Sequence, residues 1–97
     1  MKRVAVTGLG VISPVGNDVP TFWNALCSGT CGIGPITKFD ATDYPVKLAA
    51  EVRDFDPKQY MEKLDILHSD VYTHFAMAAA CQAVADSGIA GTLDAER

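Results

Sequence analysis

The segment from Asp70 to Gly88 constrains this chain more than any other. It reads Asp-Val-Tyr-Thr-His-Phe-Ala-Met-Ala-Ala-Ala-Cys-Gln-Ala-Val-Ala-Asp-Ser-Gly. Tyr72, Phe75, Ala76, Ala79, Ala80, Ala83 and Val84 recur at i, i+3, i+4, i+7, i+8, i+11 and i+12, which predicts one helix with a continuous stripe. It is expected to begin near Ser69 or Asp70 and to stop at Ser87-Gly88. The stripe is mostly alanine, so its neighbour must approach closely. Met77 and Cys81 leave the other side partly apolar, and a helix of that kind belongs inside a larger body. The chain has 97 residues, with two expected strands and two or three helices. That is little material to cover a two-sided sheet, and a fragment of a longer protein is expected.

At the other end, Arg3 to Thr7 alternates and ends in a β-branched residue, which predicts a strand. Val4 and Val6 share one face with Ala5 on the other, so the strand is expected inside a covered sheet. Gly8-Leu9-Gly10 ends it, and Ser13-Pro14 imposes a turn. Asn17 or Asp18 is placed to cap a helix starting near Pro20, with Phe22, Trp23 and Leu26 on one face and a stop at Gly29. Cys31-Gly32-Ile33-Gly34-Pro35 is expected to be a loop. Val46, Leu48, Ala50 and Val52 alternate with Lys47, Ala49 and Glu51, which predicts a half-buried strand closed by Asp54 to Pro57.

A strand running into glycines suggests a phosphate cradle, and the spacing rejects it. A dinucleotide fingerprint requires a glycine where Ser13 stands, and the helix starts several residues too late. A Walker loop requires Gly-Lys-Ser/Thr, whereas Gly16 precedes Asn17-Asp18. The glycines are therefore expected to serve a tight strand exit and close backbone approach. Twelve acidic against eight basic side chains give a net charge of −4, and no basic run or finger spacing occurs, which excludes the nucleic-acid-binding classes.

Three cysteines, Cys27, Cys31 and Cys81, make no disulfide framework. No stretch qualifies as a membrane span or a secretory signal, so a reduced, cytoplasmic setting is expected. Cys27 and Cys31 with His68 and His74 satisfy zinc spacing on paper but lack a second tight pair, so no metal is expected. Cys81 lies mid-helix among alanines, without the helix N-terminus or cationic neighbour that activates a thiol, and is read as a packing residue. Asp65, His68 and Asp70 form an acid–histidine cluster with no nucleophile beside it, in keeping with helix capping.

The run Arg3-Val-Ala-Val-Thr-Gly-Leu-Gly-Val-Ile-Ser-Pro-Val-Gly-Asn17 resembles the start of the bacterial β-ketoacyl-acyl-carrier-protein synthases II, within the thiolase-like ketosynthase family. The likeness continues through Phe22 to Leu26, Gly32 to Asp40 and Leu48 to Pro57, then Asp70, Thr73, Ala76 and Asp86-Ser87-Gly88. It implies an α/β chain, residues 1–97 being the N-terminal part of an αβαβα layered body made of two similar halves. It implies an acyltransferase of fatty acid elongation that condenses acyl and malonyl thioesters of acyl carrier protein by a decarboxylative Claisen reaction. No cofactor is implied, and a homodimer is expected for the full-length enzyme. The cysteine nucleophile and the two histidines of such enzymes lie beyond Arg97, so no catalytic residue is expected here. Neither Cys81, His68 nor His74 matches one of them.

The chain departs from that pattern in one place. Family members carry a lysine- and arginine-rich run ending Arg-Met-Asp-Arg, which helps to dock the acidic carrier protein. Here Leu64-Asp65-Ile66-Leu67-His68-Ser69-Asp70-Val71 replaces it, leaving Lys63 and His68 as the candidate docking residues. Either docking is altered or the region was changed, by engineering or by drift. Two other readings compete with the first: an aromatic-polyketide ketosynthase segment, and a stand-alone module that binds or scaffolds without reacting.

Overall fold

Asp70 and Gly88 bracket the longest helix, as expected. In the computed structural model, which describes residues 2–91, the Val71–Ser87 helix is preceded by Asp70, whose carboxylate accepts from Val71 N at 2.8 Å. Gly88 ends it in the left-handed region at φ 69°, its N–H donating to Val84 O at 3.2 Å. Three helices are described, α1 (Val19–Cys27), α2 (Lys63–Leu67) and α3 (Val71–Ser87), with two short strands, β1 (Ile33–Pro35) and β2 (Leu48–Ala50). A 3-10 turn, Pro57–Gln59, precedes α2.

The face that α3 buries is shifted from the expected stripe. His74 and Ala78 are its buried residues, and Ala79 and Ala83 are half-buried, whereas Tyr72, Ala76, Ala80 and Val84 are exposed. The neighbours explain the shift. The His74 ring Nε2 lies 3.2 Å from Ile66 O, tying α3 to α2. Phe55 meets Phe75 edge-on at 5.1 Å between centroids and stacks on Tyr60 at 6.2 Å, so the segment before α2 covers this end of the helix.

The glycines of the first turn explain the alanines of α3. A Cβ on Gly10 would overlap Ala79 O and stand 2.8 Å from both Ala83 N and Gln82 Cβ. One on Gly8 would overlap Ala83 O and stand 2.7 Å from Ser87 N. Backbone therefore meets backbone along the Ala79–Ala83–Ser87 edge, the close approach expected from both segments. Two side chains of α3 fix the alignment: Leu9 N donates to Asp86 Oδ2 at 3.0 Å and Val11 N to Gln82 Oε1 at 3.1 Å.

The strand expected over Arg3 to Thr7 is not formed. Residues 2–12 carry no regular secondary structure, and Val4 and Val6 are 93% and 79% exposed. A strand exists only with a neighbour to share its ladder, and among the described residues none lies beside this segment.

Asp18 caps α1, its Oδ1 accepting from Thr21 N at 2.8 Å, with Pro20 in the first turn. Hydrogen bonding from the Thr21 side chain, and then from its backbone N–H, holds the Asp18 carboxyl below its ordinary value. The end of α1 is a Schellman arrangement around Gly29, with Thr30 N on Ala25 O at 2.9 Å and Gly29 N on Leu26 O at 3.2 Å.

The segment expected to be a loop contains β1. Ile33, Gly34 and Pro35 pair antiparallel with Ala50, Ala49 and Leu48, and Ile36 N extends the ladder to Lys47 O at 2.9 Å. Gly-Pro composition hides such a strand, yet proline is tolerated where its missing donor faces away from the partner. In β2 the covered residue is Ala49, while Leu48 and Ala50 are exposed, the reverse of the expected alternation. Among the described residues no layer covers the Leu48 face.

The result is an open structure. Ala78 is the one buried hydrophobic residue among the described residues, while Trp23, Val46, Leu64, Leu67 and Tyr72 are each more than 60% exposed. The radius of gyration is 16.9 Å. A compact domain of this length has about 12–13 Å.

Candidate functional site

Both residues singled out for partner binding lie on α2. Lys63 is its first residue and His68 its C-cap, donating its N–H to Leu64 O at 3.0 Å, and both side chains are exposed. Glu62 precedes the helix without capping it through its side chain. The surroundings are apolar and acidic. Leu64 and Leu67 are 67% and 69% exposed, and Val71 and Tyr72 continue the exposed apolar surface onto α3. Between Glu62 and Asp70, one lysine stands against three carboxylates, so the segment is formally −2 with His68 neutral.

The remaining candidates do not converge. His74 is committed to Ile66 O, while His68 is exposed at the C-terminus of α2. Cys27 is the last residue of α1 and exposed, as is Cys31, whose Sγ lies 3.9 Å from Ile33 O. Among the described residues no group of three or more His, Cys, Asp or Glu side chains is placed to hold a metal ion. Cys81 is half-buried in the middle of α3, remote from the helix N-terminus that would favour a thiolate. Of the acid–histidine cluster, Asp70 caps α3 and the Asp65 carbonyl accepts from the Ser69 hydroxyl. No helix among the described residues is long and apolar enough to cross a membrane.

Three arrangements went unread in the sequence. Gln82 joins separate parts of the chain: besides accepting from Val11 N, its Nε2 donates to Asn17 O at 2.6 Å and to the Tyr60 hydroxyl at 3.3 Å. Its one visible signal was a long polar side chain inside an alanine run. Glu51 holds the turn after β1, accepting from Thr37 N at 3.0 Å, Thr37 Oγ1 at 2.9 Å and Lys38 N at 3.2 Å. The Thr37 backbone donor is the largest cause of a carboxyl pKa below the ordinary glutamate value. The third is a cavity of about 380 Å³ lined by Ser13, Gly16, Asn17, Asp18, Arg53 and Asp54. Asn17 Nδ2 donates to Arg53 O at 2.7 Å, its Oδ1 is buried without a partner, and Asp54 holds φ 56°. Both acidic side chains oppose an anion there.

Gln82→Ala would strand the half-buried Val11 N–H and release Asn17 O. In a full-length protein carrying this segment the expected loss is about 1–3 kcal/mol, read by urea unfolding. An unchanged midpoint would show that the clasp contributes nothing.

The sequence model of the family described as "Beta-ketoacyl synthase, N-terminal domain" matches residues 1–97. The chain belongs to that family. Among curated relatives, the 3-oxoacyl-[acyl-carrier-protein] synthase 2 of Coxiella burnetii is 51% identical over 88 residues, covering 91% of this chain and 21% of the relative. Proteins of the same name from Synechocystis and Vibrio harveyi are 45% and 46% identical, again over 21% of their length. A solved structure described as "The ishigamide ketosynthase/chain length factor" superposes with a TM-score of 0.78 at 36% identity, covering 86% of this chain and 21% of that one. This β-ketoacyl synthase segment thus spans about a fifth of the length of its relatives. Its mixed helices and strands are a portion of the ketosynthase architecture.

Proposed function

We propose that residues 1–97 are the N-terminal segment of a β-ketoacyl-acyl-carrier-protein synthase of type II fatty acid synthesis, one portion of a thiolase-like αβαβα body acting as a cytoplasmic homodimer. The observation that carries this reading is a family match over the whole chain, joined to 51% identity with a 3-oxoacyl-[acyl-carrier-protein] synthase 2. In that reaction an acyl thioester of the carrier protein passes to a cysteine thiolate, releasing the carrier thiol. Malonyl thioester then loses carbon dioxide, and the electrons of the broken C–C bond form an enolate. The enolate attacks the acyl-cysteine carbonyl, a new C–C bond forms, and the cysteine thiolate leaves.

None of these groups is assigned to this chain. Cys81 sits mid-helix, His74 is spent on Ile66 O and His68 is a helix cap. The segment contributes framework: a helix and the backbone that packs on it. The exposed apolar surface opposes the reading as a stand-alone module. The reading as an aromatic-polyketide ketosynthase segment has less behind it than the 51% identity with the synthase 2, and the ketosynthase/chain length factor is the more distant likeness at 36%.

The deciding experiment replaces the matching fifth of the Coxiella burnetii enzyme with residues 1–97. Condensation of acyl and malonyl thioesters of acyl carrier protein is expected within about tenfold of the parent, since no reacting group changes. A chimera that melts like the parent but condenses nothing would refute the assignment.

Carrier-protein docking is assigned to the α2 face, with Lys63 and His68 as its contacts. A formal charge of −2 there offers an acidic partner little steering. The triple change Leu67→Arg, His68→Arg and Val71→Arg in the chimera is therefore expected to tighten carrier binding about tenfold at low salt, from three exposed ion pairs of a few tenths to 1 kcal/mol each. The gain should fade as salt rises. Equal affinities before and after the change would remove docking from this face.

A further inference from the structure

We draw no further inference here: the strongest candidate, the exposed apolar surface of Leu64 and Leu67 on α2 with Val71 and Tyr72 at the start of α3, carries nothing because nothing in the structure shows what covers it.

Discussion

The isolated 97-residue chain is expected to melt over a broad range without a cooperative transition, to bind a hydrophobic dye, and to self-associate. The expectation rests on what the fold leaves open. Cooperative unfolding requires a shared core whose loss is all-or-none. Here the buried hydrophobic side chain among the described residues is Ala78, while Val4, Val6, Trp23, Leu64, Leu67 and Tyr72 stand in solvent. A fully buried large apolar side chain contributes about 1.5–3 kcal/mol relative to an exposed one. Six left outside forgo about 9–18 kcal/mol, comparable with the whole stability of a typical domain at about 5–15 kcal/mol. The same chain within the chimera should melt cooperatively, because the surrounding protein supplies the covering layers. Calorimetry with sedimentation checks both states. A sharp, monomeric, cooperative melt of the isolated chain would overturn this account and revive the stand-alone module.

Gly10→Ala is expected to be the most damaging single substitution in the N-terminal segment. The added Cβ overlaps a carbonyl oxygen of α3 and lies 2.8 Å from the Ala83 amide nitrogen, both backbone atoms. No side chain can rotate away, so helix and segment must separate. Separation also stretches the bonds from Leu9 N to Asp86 and from Val11 N to Gln82. Overpacking typically costs about 1–3 kcal/mol, and the lost side-chain bonds add about 0.5–1.5 kcal/mol each. Gly88→Ala is the control, since nothing lies within 4 Å of its Cβ and its cost arises from φ 69° alone. That cost is about 1 kcal/mol. Urea unfolding of the two full-length variants should rank Gly10→Ala well below Gly88→Ala. The reverse order would show that the segment is not seated on α3.

Local chemistry was legible wherever a residue acts on its own neighbours. Asp70 and Gly88 declare the limits of α3, as Asp18, Pro20 and Gly29 do those of α1, because caps act within a few residues. Close approach was legible separately in the Gly8–Gly10 turn and in the alanine stripe, whereas their meeting each other was not. Partner-dependent features were not. Arg3 to Thr7 has strand composition but no neighbour to complete a ladder, and the faces of α3 and β2 turned on which layers are present. Ile33–Pro35 was hidden by glycine and proline. Helix α2, which starts at Lys63 and is capped by His68, was not placed from the sequence, and the Gln82 clasp required three segments to be brought together in space.

The seating of Gly8 and Gly10 on α3 has a consequence for how such a protein can vary. While both glycines are kept, the gap between the segment and the helix is set by main-chain atoms, which substitutions elsewhere on the helix leave in place. It works as a fixed gauge, so outward-facing residues such as Ala76, Ala80 and Val84 are free to change with whatever packs outside. Ala79 and Ala83 are held to small side chains. Two glycines thereby keep the interlayer distance constant while the outer surface of the helix remains open to redesign.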